Sequence, residues 1–414
     1  MKRLFLVLIC CAAGVSAAVG QDLTLPLTGY TTYLPVTRTA PPDSAAEQLS
    51  AVTAVTPLPT FSYIIRASNA LGGRIFSGSI IGRDPLYRGK TTTTIPTQIV
   101  PLVITINDGT TTHVYDPTLP DTCVSGNPTD VSIITGSPIF TNTTAWTMNG
   151  VNVGTTQYID AFQRAQFWGQ VQGTPYHLIL NQSTLGSQAL LFSGTGVPGS
   201  SGPGSNNNAA TLFGGCGFIG VVNINDFDAA VQALITGPLA GMVNAGTFPI
   251  FLTKDVVSAD PGHSLFANCC ILGYHSGLFV GGNLQIYSPF SIDTSGGFGP
   301  GFVSTLAHEM GEAINDPTTA NGTPFWGNIG QTHTNPFQCQ NNLEVGDPLS
   351  PGFGTPTNPF SVVGANGLTY SLQELAFYSW FFDSTSLGTG SGGKFSNHGT
   401  FNGSAIICPP GGTN

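Results

Sequence analysis

The residues best suited to chemistry sit together in one short stretch: His308, Glu309 and Glu312, followed by Asp316 and Pro317. On a helix, positions i and i+4 lie one above the other, so His308 and Glu312 can reach a single ion with Glu309 beside them. An imidazole and a carboxylate placed this way suit a divalent cation. A neighbouring carboxylate can then take a proton from a water that the cation activates.

The same stretch encodes the helix that this arrangement needs. Val303, Leu306, Met310, Ala313 and Ile314 recur at helical spacing and, at about 100° per residue, cover one face. Thr305, His308, Glu309, Glu312 and Asp316 fall on an opposite arc of roughly 100°. Pro317 ends the helix. The spacing is that of the H-E-x-x-H zinc motif with Glu in place of the second His. Without a ligand the stretch would be an amphipathic surface helix carrying one His and three acids. Between Asp255 and Gly393, however, there is no Lys or Arg, so these acids have no cationic side chain nearby in sequence. Carboxylates crowded toward a helix C-terminus repel one another and the helix dipole, and a bound cation relieves that repulsion.

A catalytic zinc takes three protein ligands and a water. His308 and Glu312 supply two, with Glu309 as general base. Asp316, two turns beyond His308, is the nearest candidate for the third position. Glu344 and Asp347 in the segment Asn341–Pro348, and His275 in Gly273-Tyr274-His275-Ser276, compete with it. Each has an ordinary structural alternative: a helix-end acid, a polar turn, a core histidine. His113, His177, His263 and His398 show no site-like spacing, and His333 follows the motif by 25 residues. A carboxylate in place of the second imidazole makes the site harder and more anionic, leaving Ca²⁺ or Mn²⁺ as alternatives to Zn²⁺.

The rest of the chain bounds the setting. With 414 residues, one large or two smaller domains are expected. Only 8% of residues are charged, while Gly (54) and Pro (30) are abundant, which favours a β-rich, loop-rich exported protein. Eight of the eleven basic residues precede position 91. Beyond it, three cations face seventeen acids, a balance of −14. Such a surface repels nucleic acid and anionic membranes. Met1-Lys2-Arg3, the apolar run Leu4–Ala13 and small residues to Ala18 read as a secretory signal peptide over 1–20. No later stretch is long and apolar enough to anchor the chain in a membrane, so an exported, soluble protein is expected, extracellular or periplasmic. Removing the signal leaves Cys123, Cys216, Cys269, Cys270, Cys339 and Cys408, an even number that favours disulfides, with Cys269 and Cys270 bonding to different partners.

The expected fold class is α+β, a β-rich N-terminal part followed by an α+β part with the motif helix. Residues 21–57 read as a Thr/Pro/Ala-rich tail or linker, 58–220 as the β-rich region and 221–414 as the metal-binding region. Strands are predicted at Phe61–Arg66, Gly73–Gly82, Thr97–Ile106, Phe248–Leu252, Cys270–His275 and Leu284–Tyr287. Val114–Thr122 and Ser132–Ile139 read as mixed strand and turn, and Gly194–Asn208 as a loop. Helices are predicted over 155–168, over 225–235 with Asn225 as N-cap, and over 371–382.

Several segments together resemble a group of uncharacterised secreted bacterial proteins: His308-Glu309-Met310-Gly311-Glu312 with Asn315-Asp316-Pro317, Trp326–Gln331, and Cys339-Gln340-Asn341-Asn342-Leu343-Glu344-Val345-Gly346-Asp347-Pro348. Tyr158–Arg164, Cys269–His275 and Leu372–Ala376 are similar too, so the likeness covers most of the chain after residue 60. It carries no firm activity. The motif helix alone resembles that of zincin metallopeptidases, which implies a zincin-like metal-binding region in which His308 and Glu312 bind metal and Glu309 is the base. The expected function is a secreted metallohydrolase, a zinc-dependent metallopeptidase-like enzyme acting on extracellular protein or peptide. The alternative is a non-catalytic secreted surface or matrix protein with a structural cation and a glycan- or protein-binding β region.

Overall fold

The strand Thr92–Asn107 alternates exposed and buried residues at its start and is then almost entirely buried, the pattern of a strand that enters the middle of a sheet. In the computed structural model it is the spine of a seven-stranded mixed sheet. Along one edge it pairs in parallel with His177–Thr184 and then with Gln188–Ser193. Along the other it pairs in parallel with Phe248–Lys254 and antiparallel with Thr112–Tyr115. Outside Phe248–Lys254 lie the parallel strand Asn283–Ile292 and the antiparallel edge strand Ser276–Val280. The structure describes residues 55–86, 91–109, 111–194, 209–213, 215–259, 269–297, 303–327, 340–349, 360–384, 386–389 and 394–401.

At Asp255, which adopts a left-handed conformation (φ 49°), the chain leaves this sheet for a second one. The second sheet has the order Cys269–Ile271, Val256–Ala259, Phe218–Asn223, Ala209–Phe213. Side-chain alternation gives the large sheet two buried faces. Ile99, Ile250, Leu252, Ile286 and Phe290 face a core shared with the helices Tyr158–Gln166 and Ser304–Asn315. Val100, Phe251 and Tyr287 face a second core with the helix Ile224–Thr236. The architecture is α+β, and the sheet combines strands from before and after residue 220. Among the described residues no helix is long and apolar enough to cross a membrane.

The sequence-predicted strands are present; four are extended by a few residues at their ends, while Gly73–Gly82 is trimmed to Ile75–Ile81 and Cys270–His275 is cut to Cys269–Ile271. Three segments differ. Residues 130–135 form a helix rather than strand and turn, because Thr129 caps it by accepting a hydrogen bond from Ser132 N at 3.1 Å. The helix at 224–236 is capped by Asn223, whose side chain accepts from Asn225 N, and not by Asn225 itself. The helix predicted over 371–382 shrinks to Tyr378–Phe381; Thr369–Leu372 instead pairs as a strand with Phe360–Val363. Its polar residues explain the change, since Gln373 and Glu374 are buried and each is used in side-chain hydrogen bonds. Cys123 and Cys216 form a disulfide, and Cys270 is disulfide-bonded as well. The signal peptide, most of the 21–57 segment, residues 195–208, Cys339, Cys408, His263 and His333 lie outside the described residues.

Candidate metal centre

The motif helix spans Ser304–Asn315, and every residue in it is buried. It is therefore a core helix, not the surface helix that its charged arc would imply by itself. Its apolar side packs on strand Asn283–Ile292 and helix Tyr158–Gln166. Gly311 permits the approach of Leu375, since a Cβ there would lie 2.6 Å from Leu375 Cδ1. Gln166 Nε2 donates to Asn315 Oδ1 at 2.9 Å, and Asn315 Nδ2 donates to Gly311 O at 2.7 Å, tying the two helices together. The polar arc is covered by protein as well: by His275, by the segment Glu344–Asp347 and by Gln373.

All seven sequence-predicted site residues are brought to this one region, each no more than 2% exposed. His308 Nε2 lies 3.0 Å from Glu312 Oε2, 3.5 Å from Asp347 Oδ1 and 4.0 Å from Glu309 Oε1. His275 Nδ1 lies 3.4 Å from Glu309 Oε2 and 3.8 Å from Glu312 Oε2, and its Nε2 lies 3.9 Å from Glu344 Oε2. Two groups have donor atoms all within 4.8 Å of one another: His275, Glu312 and Glu344, and His308, Glu309 and Glu312. These buried His and Glu groups can hold a metal ion.

The carboxylate of Asp316 is engaged differently. It accepts backbone N–H groups of Ala320 and Asn321 at 3.0 Å each, shaping the turn behind the helix. Its backbone carbonyl faces His275 Nε2 at 3.2 Å.

Two residues that the sequence did not single out hold the imidazole of His308. Gln373 Nε2 donates to Gly346 O at 2.6 Å, which fixes the amide so that its Oε1 faces His308 Nδ1 at 3.2 Å. With Nδ1–H committed there, Nε2 is the atom turned to Glu312 and Asp347. An outer acceptor of this kind sets tautomer and ring direction at metal-ligating histidines. Gly346 packs so close that a Cβ there would collide with the His308 ring. Only its place inside the signature Asn341–Pro348 hinted at this; Gln373 carried no spacing signal.

The electrostatics describe a site short of positive charge. Burial raises the pKa of Glu309, Glu344 and Asp347; Glu344 is pushed well up, and Asp347 to about 8, with neighbouring carboxylates adding to the effect. Burial opposes charge on His308, but Glu312, Glu309 and Asp347 overcome it and push the ring up to about 9. Glu312 is lowered despite its burial, by His308, His275 and the N–H of Gly346. Glu309 Oε1 and Glu344 Oε2 are buried and make no hydrogen bond among the described residues. Such orphaned acceptors are costly unless a cation or a proton meets them, and a bound divalent ion would reverse the pKa trend of the whole cluster.

Comparison of the chain with protein-family models, with curated proteins and with solved structures gives no match in any of the three.

Proposed function

We propose that this chain is a secreted metallohydrolase, a peptidase acting on extracellular protein, with Zn²⁺ as its cation and Mn²⁺ or Ca²⁺ as alternatives. Glu309 carries the reading. It sits beside both candidate metal groups, its Oε1 has no hydrogen-bond partner among the described residues, and burial pushes its pKa up. Those are the properties of a general base that must take up a proton near neutral pH. When bound, a divalent cation polarises a carbonyl and acidifies water, which is the chemistry this site would need. His308 and Glu312 would hold the cation, and Gln373 would keep His308 aimed at it. Glu309 would receive the proton at Oε1 and return it to the leaving amine. The motif helix, backed by a second helix on a mixed sheet, supports a zincin-like arrangement for this part of the chain. The apolar leader and the disulfide-bonded cysteines support export, and the acidic balance weighs against nucleic acid as a partner.

A second reading is favoured by one observation: every donor residue is at most 2% exposed. A cation held so deeply suits a structural site in a non-catalytic surface or matrix protein. The two separate on one variant. Glu309→Gln should retain metal and lose peptide hydrolysis in a protease assay on unfolded protein substrates. Unchanged turnover sinks the mechanism. Metal retained with no hydrolysis in the wild type supports the structural reading.

A further inference from the structure

We infer that the centre holds two divalent cations, one on each side of Glu312, whose Oε2 bridges them. This deepens the proposal above and rests on its reading of the cluster as a metal centre.

Among the described residues, the two imidazoles do not meet in one group of donor atoms compact enough for a single ion. An ion with bonds of about 2.1 Å cannot touch two donor atoms more than about 4.2 Å apart. The donors form a chain of neighbours from Asp347 Oδ1 to His308 Nε2 (3.5 Å), to Glu312 Oε2 (3.0 Å), to His275 Nδ1 (3.8 Å), with Glu344 Oε2 3.9 Å from the other ring nitrogen. Among the described residues no group with all donor atoms within 4.8 Å contains both imidazoles. Each group holds one, and Glu312 belongs to both.

Glu312 is oriented for a bridging role. Its Oε1 accepts the N–H groups of Gly346 at 3.0 Å and Asp347 at 3.2 Å, so Oε2 is the oxygen left facing both rings. Each imidazole is also pinned by its own acceptor outside the cluster: Gln373 Oε1 for His308 and the carbonyl of Asp316 for His275. A single ion at His308 would leave His275 aimed without purpose, and it would leave the buried Glu344 Oε2 unmet. Charge agrees with the geometry. Glu309, Glu312, Glu344 and Asp347 bring four negative charges, which two divalent cations balance. Two histidines with four carboxylates is also the donor inventory by which helical di-iron and di-manganese proteins hold a metal pair.

The test loads the chelator-stripped full chain with excess Zn²⁺ or Mn²⁺, removes free metal by desalting, and counts bound ions by elemental mass spectrometry. Two equivalents per chain are expected, falling to one in His275→Ala and one in His308→Ala. The Mn²⁺-loaded wild type, which needs no variant to fold, should give an exchange-coupled multiline electron paramagnetic resonance spectrum, because a bridging oxygen couples the ions. One equivalent in the wild type, with only an isolated six-line Mn²⁺ signal, overturns the pair and leaves the hydrolase reading intact. No bound metal at all overturns both.

Discussion

Gly346 lies so close to His308 that a Cβ at position 346 would sit 2.4 Å from Nδ1 and 2.5 Å from Cγ of the ring. The same residue donates its N–H to Glu312 and accepts from Gln373 through its carbonyl. One backbone unit therefore fixes three side chains at the centre, and it can do so only without a side chain of its own.

Gly346→Ala should push the His308 ring out of line and lower zinc affinity at least about tenfold, as loss of an outer-shell support does. Competition titration against a fluorescent chelator measures this, and unchanged affinity would refute the hub assigned to Gly346.

Gln373→Leu keeps the volume but removes the acceptor for His308 Nδ1. Metal affinity is expected to drop about 10–100-fold while the far-ultraviolet circular dichroism stays that of the wild type. If the variant binds as tightly as the parent, Gln373 does not orient the ligand.

Stripping metal with a chelator should lower the melting temperature, and re-addition should restore it. At a free ion concentration of a thousand times Kd the stabilisation is about 4 kcal/mol, through binding to the folded state alone. Differential scanning calorimetry with and without chelator is the measurement. Superimposable scans would count against a metal that matters to the folded state.

A second acidic cluster offers a pH test away from the metal centre. Lys254 pairs with Asp121 and lies 3.4 Å from Asp130 Oδ2. Burial, offset in part by Lys254, leaves Asp130 raised to about 8. A carboxyl raised in the folded state contributes stability that is present below its unfolded pKa near 3.8 and is lost as pH climbs toward 8. Asp130→Asn should therefore flatten that decline and be more stable than the parent at pH 8.5, by on the order of 1 kcal/mol. Urea titrations at pH 5 and pH 8.5 compare the two; a gap that fails to widen with pH would contradict the assignment.

The Cys123–Cys216 bond links residues 93 apart in sequence. Cys123→Ala should cost about 2–5 kcal/mol, the usual loss on removing a native disulfide. Equal denaturation midpoints for variant and parent would show that the bond adds no stability.

The sequence alone determined the local geometry of the motif. Helical spacing places His308 and Glu312 on one side with Glu309 between, because i and i+4 neighbours follow from 3.6 residues per turn. Alternation and β-branched runs placed the main strands, since those patterns are also local. Two things stayed hidden. The helix reads as amphipathic, yet its polar arc is buried, because what covers it comes from residues 275, 344–347 and 373, each distant in the chain. Likewise 371–382 reads as helical by apolar spacing, but residues 373 and 374 lie outside any helix, where the buried Gln373 donates to Gly346 O and Glu374 accepts from Ser396. Only the tertiary structure could show that Glu312 stands beside both His308 and His275. Burial and pairing between distant segments are decided by which surfaces meet, and no spacing rule along one strand or helix encodes that.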